Sequence, residues 1–132
     1  MIASLLGKPY KAGANGPNAY DCWGLVQVVQ KELFGREMPD IRTPPTDNNP
    51  NTMIAFIRSH PARKQWRKVD APGHGRIVEM SRSSLPFHIG VYLDIDRGGI
   101  LHCAQGVGVS FDPLILMPAQ GWRGLTYHEW VV

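Results

Sequence analysis

Two cysteines in 132 residues, Cys22 and Cys103, are too few for a disulfide scaffold. One Cys22–Cys103 bridge is the only pairing open, and nothing else in the chain points to an oxidising compartment. No apolar run approaches the ~18 residues that a membrane-spanning helix needs, so no membrane insertion is expected. The opening Met1-Ile2-Ala3-Ser4-Leu5-Leu6 lacks the length, basic start and cleavage site of a secretory signal, so the chain is expected in the cytoplasm where it is made. Clustered charge is scarce too. The net charge is +3, and basic residues are dispersed except for Arg63-Lys64-Gln65-Trp66-Arg67-Lys68, which reads as a solvated face, so no nucleic-acid partner is expected. Internal repeats and low-complexity tracts are missing as well.

What is present fits one domain over residues 1–132, long enough for a real core and too short for two. Its first half reads as helical and its second as strands, the pattern of an α+β fold. Asp21 is a natural N-cap for a helix starting at Cys22. Leu25, Val26, Val29 and Leu33 recur at three- and four-residue steps along it, and Gly35 stops it after Phe34. Residues 13–18 form a Gly/Asn/Pro loop leading into that helix. The density of Pro, Asp, Asn and Thr over residues 39–51 predicts an extended connection. Met53, Ile54, Phe56 and Ile57 then predict a shorter helix ended by His60-Pro61. Strands are predicted at 76–80, 88–93, 99–104, 106–111 and 125–131.

The segment His88-Ile89-Gly90-Val91-Tyr92-Leu93 alternates, which puts Ile89, Val91 and Leu93 toward the core and His88, Gly90 and Tyr92 on the other face. Gly90 offers room there for another element to approach. A five-residue loop pairing Leu93 with Gly99 sets His102 opposite Gly90. His88 and His102 are then diagonal neighbours at roughly 7–8 Å, within reach of rings turned toward each other. A loop one residue longer or shorter would separate them onto opposite faces.

A cysteine on the first turn of a helix meets unpaired backbone N–H groups and the positive end of the helix dipole, which predicts a thiol pKa below the free value of about 8.5. Cys22 is thus a candidate nucleophile, His88 its base, and His102 the group that orients His88. Backbone N–H groups at the helix start, including that of Cys22, would hold an oxyanion. Zinc is the chemical alternative, because Cys22, His88, His102 and His74 are good ligands, but their spacing matches no recognised zinc pattern and no metal or other cofactor is expected. His60, His74 and His128 read as surface or loop residues, and Cys103 as a small buried apolar residue.

Gly7-Lys8-Pro9-Tyr10, Gly13, Gly16-Pro17 and Tyr20-Asp21-Cys22-Trp23-Gly24-Leu25-Val26 resemble the start of the NlpC/P60 cysteine peptidases, which typically read G-x-P-Y…G…DCSGLV. His88-Ile89-Gly90-Val91-Tyr92-Leu93 and Ile100-Leu101-His102-Cys103-Ala104 resemble that family's HVGIYL and following IHA, in the same order. Trp23 stands where the family usually has Ser, and Pro72-Gly73-His74-Gly75-Arg76 where it usually has Pro-Gly-Asp. The resemblance implies a papain-like α+β fold with the cysteine helix packed on an antiparallel sheet. It implies hydrolysis of amide bonds in peptidoglycan stem peptides, often at a γ-D-glutamyl linkage to a diamino acid. Cys22, His88 and His102 take the nucleophile, base and third positions. Tyr10 and Asp21 match positions that line the substrate cleft in some members, Trp23 replaces a serine that binds a substrate amine in some relatives, and Tyr92 shares the face of His88. These four are the substrate-binding candidates. Trp23 and the run from Gly106-Val107-Gly108-Val109 to Asp112 look most like phage and prophage tail-assembly members. That implies other tail proteins as partners, and a location in the bacterial cytoplasm during synthesis and later in a virion tail. Two readings of other classes stay open: an idle structural component of a tail tip, and an amidase on a non-wall substrate.

Overall fold

The chain enters its main helix through a cap. Asp21 is extended and its side chain accepts the Gly24 N–H at 2.7 Å, opening α2 (Cys22–Phe34). Gly35 closes the helix in the left-handed conformation, φ 64°, and the N–H groups of Gly35 and Arg36 return to the carbonyls of Lys31 and Gln30. The computed structural model describes residues 2–39 and 50–131. A single turn, α1 (Ile2–Leu5), precedes α2, and α3 (Pro50–Ser59) follows it. Most of the connection expected over residues 39–51 lies outside the described residues. His60 ends α3 as expected, but its side chain also starts the next turn: Nδ1 accepts the Ala62 N–H at 3.0 Å, capping the 3-10 helix Pro61–Gln65.

Six strands follow: β1 (Trp66–Val69), β2 (Ile77–Ser81), β3 (His88–Leu93), β4 (Gly99–Ala104), β5 (Gly108–Asp112) and β6 (Gly124–Trp130). They form one antiparallel sheet in the order β1-β6-β2-β3-β4-β5. Strand β1 was not expected, because it lies inside the basic run read as a solvated face. Arg67 and Lys68 are indeed exposed, while the backbone pairs with β6 and sets Trp66 against Trp130 in register, ring centroids 5.3 Å apart and edge-on.

Helix α2 packs on one face of the sheet. Leu25, Val26 and Val29, all fully buried, meet Ile89, Val91, Leu93, Leu101, Cys103 and Val109 there. Each such side chain contributes about 1.5–3 kcal/mol by leaving water. Leu33, part of the same periodic set, stays 40% exposed beyond the sheet contact. The opposite face is covered as well. Residues 113–122 fold back across it, placing Met117 and Trp122 on Val78, Met80 and Ile100. The face of His88 and Tyr92 is therefore a second, smaller core.

Candidate active site

The loop before α2 fixes its first residue. Asp21 Oδ2 accepts the Gly13 N–H at 2.9 Å, and the Asp21 N–H donates to Ala14 O at 2.9 Å. Gly24 permits this approach, since a Cβ there would stand 2.1 Å from Ala14 O. The loop and the helix start thus hold Cys22 from both sides, leaving its side chain on a cleft of about 680 Å³ that His88, the first residue of β3, also lines. Cys103 is buried as expected, its thiol donating to Tyr20 O at 3.2 Å, and both cysteines are free.

The thiol pKa goes the opposite way from the sequence expectation. Burial drives that of Cys22 far up, and the neighbouring Asp21 carboxylate adds to the rise, outweighing the backbone hydrogen bonds from Ile89 and Trp23 that favour the thiolate. The partial positive charge of a helix start is about half an elementary charge. Here it competes with complete desolvation and with a full negative charge on the capping residue. The resting group is a neutral thiol.

His88 and His102 meet as the register predicted. Leu93 pairs with Gly99 and Gly90 with His102. The space beside Gly90 is taken by β4 itself: a Cβ on Gly90 would fall 2.7 Å from Ile100 Cγ2 and 3.0 Å from His102 Cβ. With no side chain between them, the rings close to 2.8 Å, His88 Nε2 to His102 Nδ1. A further member continues the line. His102 Nε2 lies 2.8 Å from Asp112 Oδ2, which also accepts from Ser110 Oγ at 2.9 Å.

Asp112 was missed by sequence reasoning because the predicted strand stopped at residue 111. The signal was available. His102 pairs with Ser110, so Asp112 is its diagonal neighbour on the same face, just as His88 is on the other side. This line decides the tautomers. A carboxylate only accepts, so His102 carries its proton on Nε2 and accepts the Nε2–H of His88 on Nδ1. His88 is left with the lone pair of its own Nδ1 outside the line. Both imidazoles are held neutral. Burial lowers the His88 pKa well below the usual value, helped by His102 and by the Arg82 charge; burial also lowers that of His102, against the pull of Asp112.

Of the substrate-binding candidates, Tyr10 lines the cleft with Cys22 and His88. Its phenol pKa is pushed up to about 12 by burial and by Cys22, Asp21 and Cys103. The other three do not line the cleft. Asp21 is 1% exposed, and both its oxygens are taken by Gly13 and Gly24. Trp23 points away from the cleft into the core, its ring 4.2 Å from that of His60 and edge-on to Phe56. A one-residue step along a helix turns a side chain by about 100°, and here that turn carries Trp23 off the Cys22 cleft and into the core. Tyr92 packs into the second core among Tyr127 and Ile100.

His60 and His128, expected at the surface or in loops, are both buried, around a second cavity of about 60 Å³ behind Trp23. His128 faces Glu79, 3.6 Å away. His74 is exposed as expected, its Nδ1 accepting the Asp94 N–H, so it lies outside the Cys22 cleft. The cleft instead gains Arg82, Phe87 and Trp122, none of which the sequence singled out. Trp122 stacks on His88, ring centroids 4.9 Å apart and planes 13° from parallel.

A thiol at a helix start and an imidazole at a strand start on one cleft, with the helix packed against an antiparallel sheet, define a papain-like α+β domain. The family pattern of NlpC/P60 matches residues 7–123, and the chain belongs to the NlpC/P60 family. Among solved structures it is similar to the NlpC/p60 domain of the peptidoglycan hydrolase SagA, with 16% identity and a TM-score of 0.59 over 98% of this chain and 92% of that one. At this identity the likeness is one of fold. No curated protein sequence matches the chain.

Proposed function

We propose that this protein is a cysteine peptidase that hydrolyses amide bonds in peptidoglycan stem peptides, with Cys22 as nucleophile, His88 as base and His102 and Asp112 as positioning residues. The observation that carries this reading is the unbroken line Asp112–His102–His88 ending in one cleft with the Cys22 thiol. In the proposed reaction His88 Nδ1 takes the thiol proton as sulfur attacks the carbonyl carbon. The oxyanion is met by backbone N–H groups at the start of α2; that of Gly24 is held by Asp21 and that of Trp23 is directed at the thiol, which leaves that of Cys22. His88 returns the proton to the leaving nitrogen, the C–N bond breaks, and a thioester remains on Cys22. Water, deprotonated by His88, then releases the acid and restores the thiol.

Because the thiol pKa lies high and that of His88 low, proton transfer occurs during attack, and base strength rests on the orientation of His88. Support for the wall substrate comes from the family and from the peptidoglycan hydrolase whose domain shares the fold. The proposed bond is the γ-D-glutamyl linkage to the diamino acid, and the proposed setting is a phage or prophage tail, reached from the bacterial cytoplasm. The likeness of Trp23 and of residues 106–112 to tail-assembly members supports that setting.

The test is digestion of purified sacculi, with released fragments read by mass spectrometry. Wild type should release stem-peptide fragments and Cys22→Ala none. Release persisting in Cys22→Ala would remove the thiol mechanism, and no release by wild type from any wall substrate would leave a structural role.

A further inference from the structure

We propose that Arg82 reads a free carboxylate on the substrate, next to the scissile amide. The inference rests on the hydrolase reading above and adds to it the residue that selects among peptides. Arg82 follows β2 directly and is exposed on the wall of the cleft that holds Cys22 and His88. Its guanidinium carbon lies 4.2 Å from the centroid of the Trp122 ring and 5.8 Å from that of Phe87. The same indole stacks on His88. One buried aromatic thus contacts both a cation and the proposed base.

The support beneath Arg82 is built in. Trp122 is 4% exposed, and its chain neighbour Arg123 donates its N–H to Ser81 O at 2.9 Å, tying the covering segment to the end of β2. Gly121, left-handed at φ 89°, lies against the same side chain: a Cβ there would stand 3.4 Å from Arg82 Nε.

Among the described residues the charge on Arg82 has no carboxylate partner. Arg63 pairs with Glu79, and Arg67 and Arg76 pair with Glu129, whereas none of the described carboxylates pairs with Arg82. Among the described residues that line the cleft there is no Asp or Glu. The carboxylates beside Cys22 and His102 are engaged elsewhere, Asp21 by the helix cap and Asp112 by His102.

A guanidinium stacked on an aromatic face keeps its edge N–H groups available, and that edge matches a carboxylate bidentately. A neutral amide offers only one acceptor and no charge. The chemistry therefore points to a peptide with a free carboxylate on the residue that donates the scissile carbonyl or on the one that follows it. A bound carboxylate would also offset the positive charge that now opposes protonation of His88.

Matched synthetic stem peptides, alike except that this carboxylate is free or a carboxamide, supply the test. Hydrolysis is measured with wild type, Arg82→Gln and Arg82→Lys. Binding of the intact peptides is measured by calorimetry on Cys22→Ala protein with and without Arg82→Gln. The free acid should be preferred by roughly tenfold to hundredfold in kcat/KM, the worth of a charge-assisted hydrogen-bonded pair, and the preference should sit in KM. In Arg82→Gln the ratio should collapse toward one, and Arg82→Lys should keep part of it, having the charge without the fork.

Equal turnover of both peptides by wild type, or an equal slowing of both in Arg82→Gln, would overturn the role of Arg82 and leave the peptidase reading intact. Arg82-dependent binding of the acid by Cys22→Ala protein, with no hydrolysis by wild type, would support the carboxylate site and defeat the peptidase reading. No binding of either peptide to any form would overturn the proposal.

Discussion

A single carboxylate fixes the chemistry of two imidazoles. Asp112 accepts from His102 Nε2, and that choice propagates through His102 Nδ1 to place the free lone pair of His88 on Nδ1. The Asp112→Asn variant keeps the size of the side chain and removes the obligate acceptor. Its amide can donate to His102 Nε2, which shifts the proton to Nδ1 and sets two N–H groups facing each other between the rings. The expected loss is on the order of a hundredfold in kcat, within the range by which a positioned base contributes, with KM little changed. Steady-state kinetics on a stem peptide, with thermal melting as the control for folding, checks this. A loss confined to KM, or one that tracks a fall in stability, would mean that Asp112 only packs.

At the scale of elements, the pairing of β3 with β4 determines whether that line exists. Gly90 pairs with His102 beside the two rings, and Gly90→Ala would put a methyl 2.7 Å from Ile100 Cγ2 and 2.9 Å from Leu101 O. Backbone cannot yield as a flexible side chain does, so the strands must part. A destabilisation of about 1–3 kcal/mol is expected from overpacking, with a loss of activity larger than stability alone explains. Denaturant unfolding and kinetics on the same preparation separate the two. Unchanged activity in a folded Gly90→Ala protein would show that the rings need no such clearance.

The same strands show what was legible in the sequence. The alternation from His88 to Leu93 and the five-residue loop before Gly99 carry register directly, because a period of two and a short connection leave few alternatives. The cap at Asp21 and the stop at Gly35 were readable for the same local reason. Strand β1 was not, since its partner β6 lies some sixty residues away and its exposed charges mask the pairing. Trp122 was equally hidden. Its contact with His88 depends on residues 113–122 crossing a sheet face where local pattern offers only room beside Gly90, with nothing to say which element fills it. Asp21 and Trp23 were misplaced because proximity to Cys22 in sequence says nothing of which side a helix turns them to.

Over the whole molecule, the buried titratable groups set the pH range of stability. His88, His102 and His128 are all held neutral with lowered pKa values, burial being the first cause in each. In the unfolded chain they would titrate near 6.5. Below that pH the unfolded state binds more protons than the folded one, so stability falls as pH drops toward the lowered folded values. At the other end, burial raises the thiol pKa of Cys22 far above its usual value and that of Cys103 to about 12. Unfolded thiols ionise near 8.5. Above that pH the unfolded state holds fewer protons than the folded one, and stability falls again. Tm should therefore be highest on a plateau between roughly pH 6.5 and 8.5 and decline on both sides. Melting curves from pH 4.5 to 10 would show it, and Cys103→Ser, whose hydroxyl does not ionise there, should soften the alkaline decline specifically. A Tm still rising from pH 6.5 down to 5 would mean that the three histidines are charged in the folded protein, which would also deprive Cys22 of its neutral base.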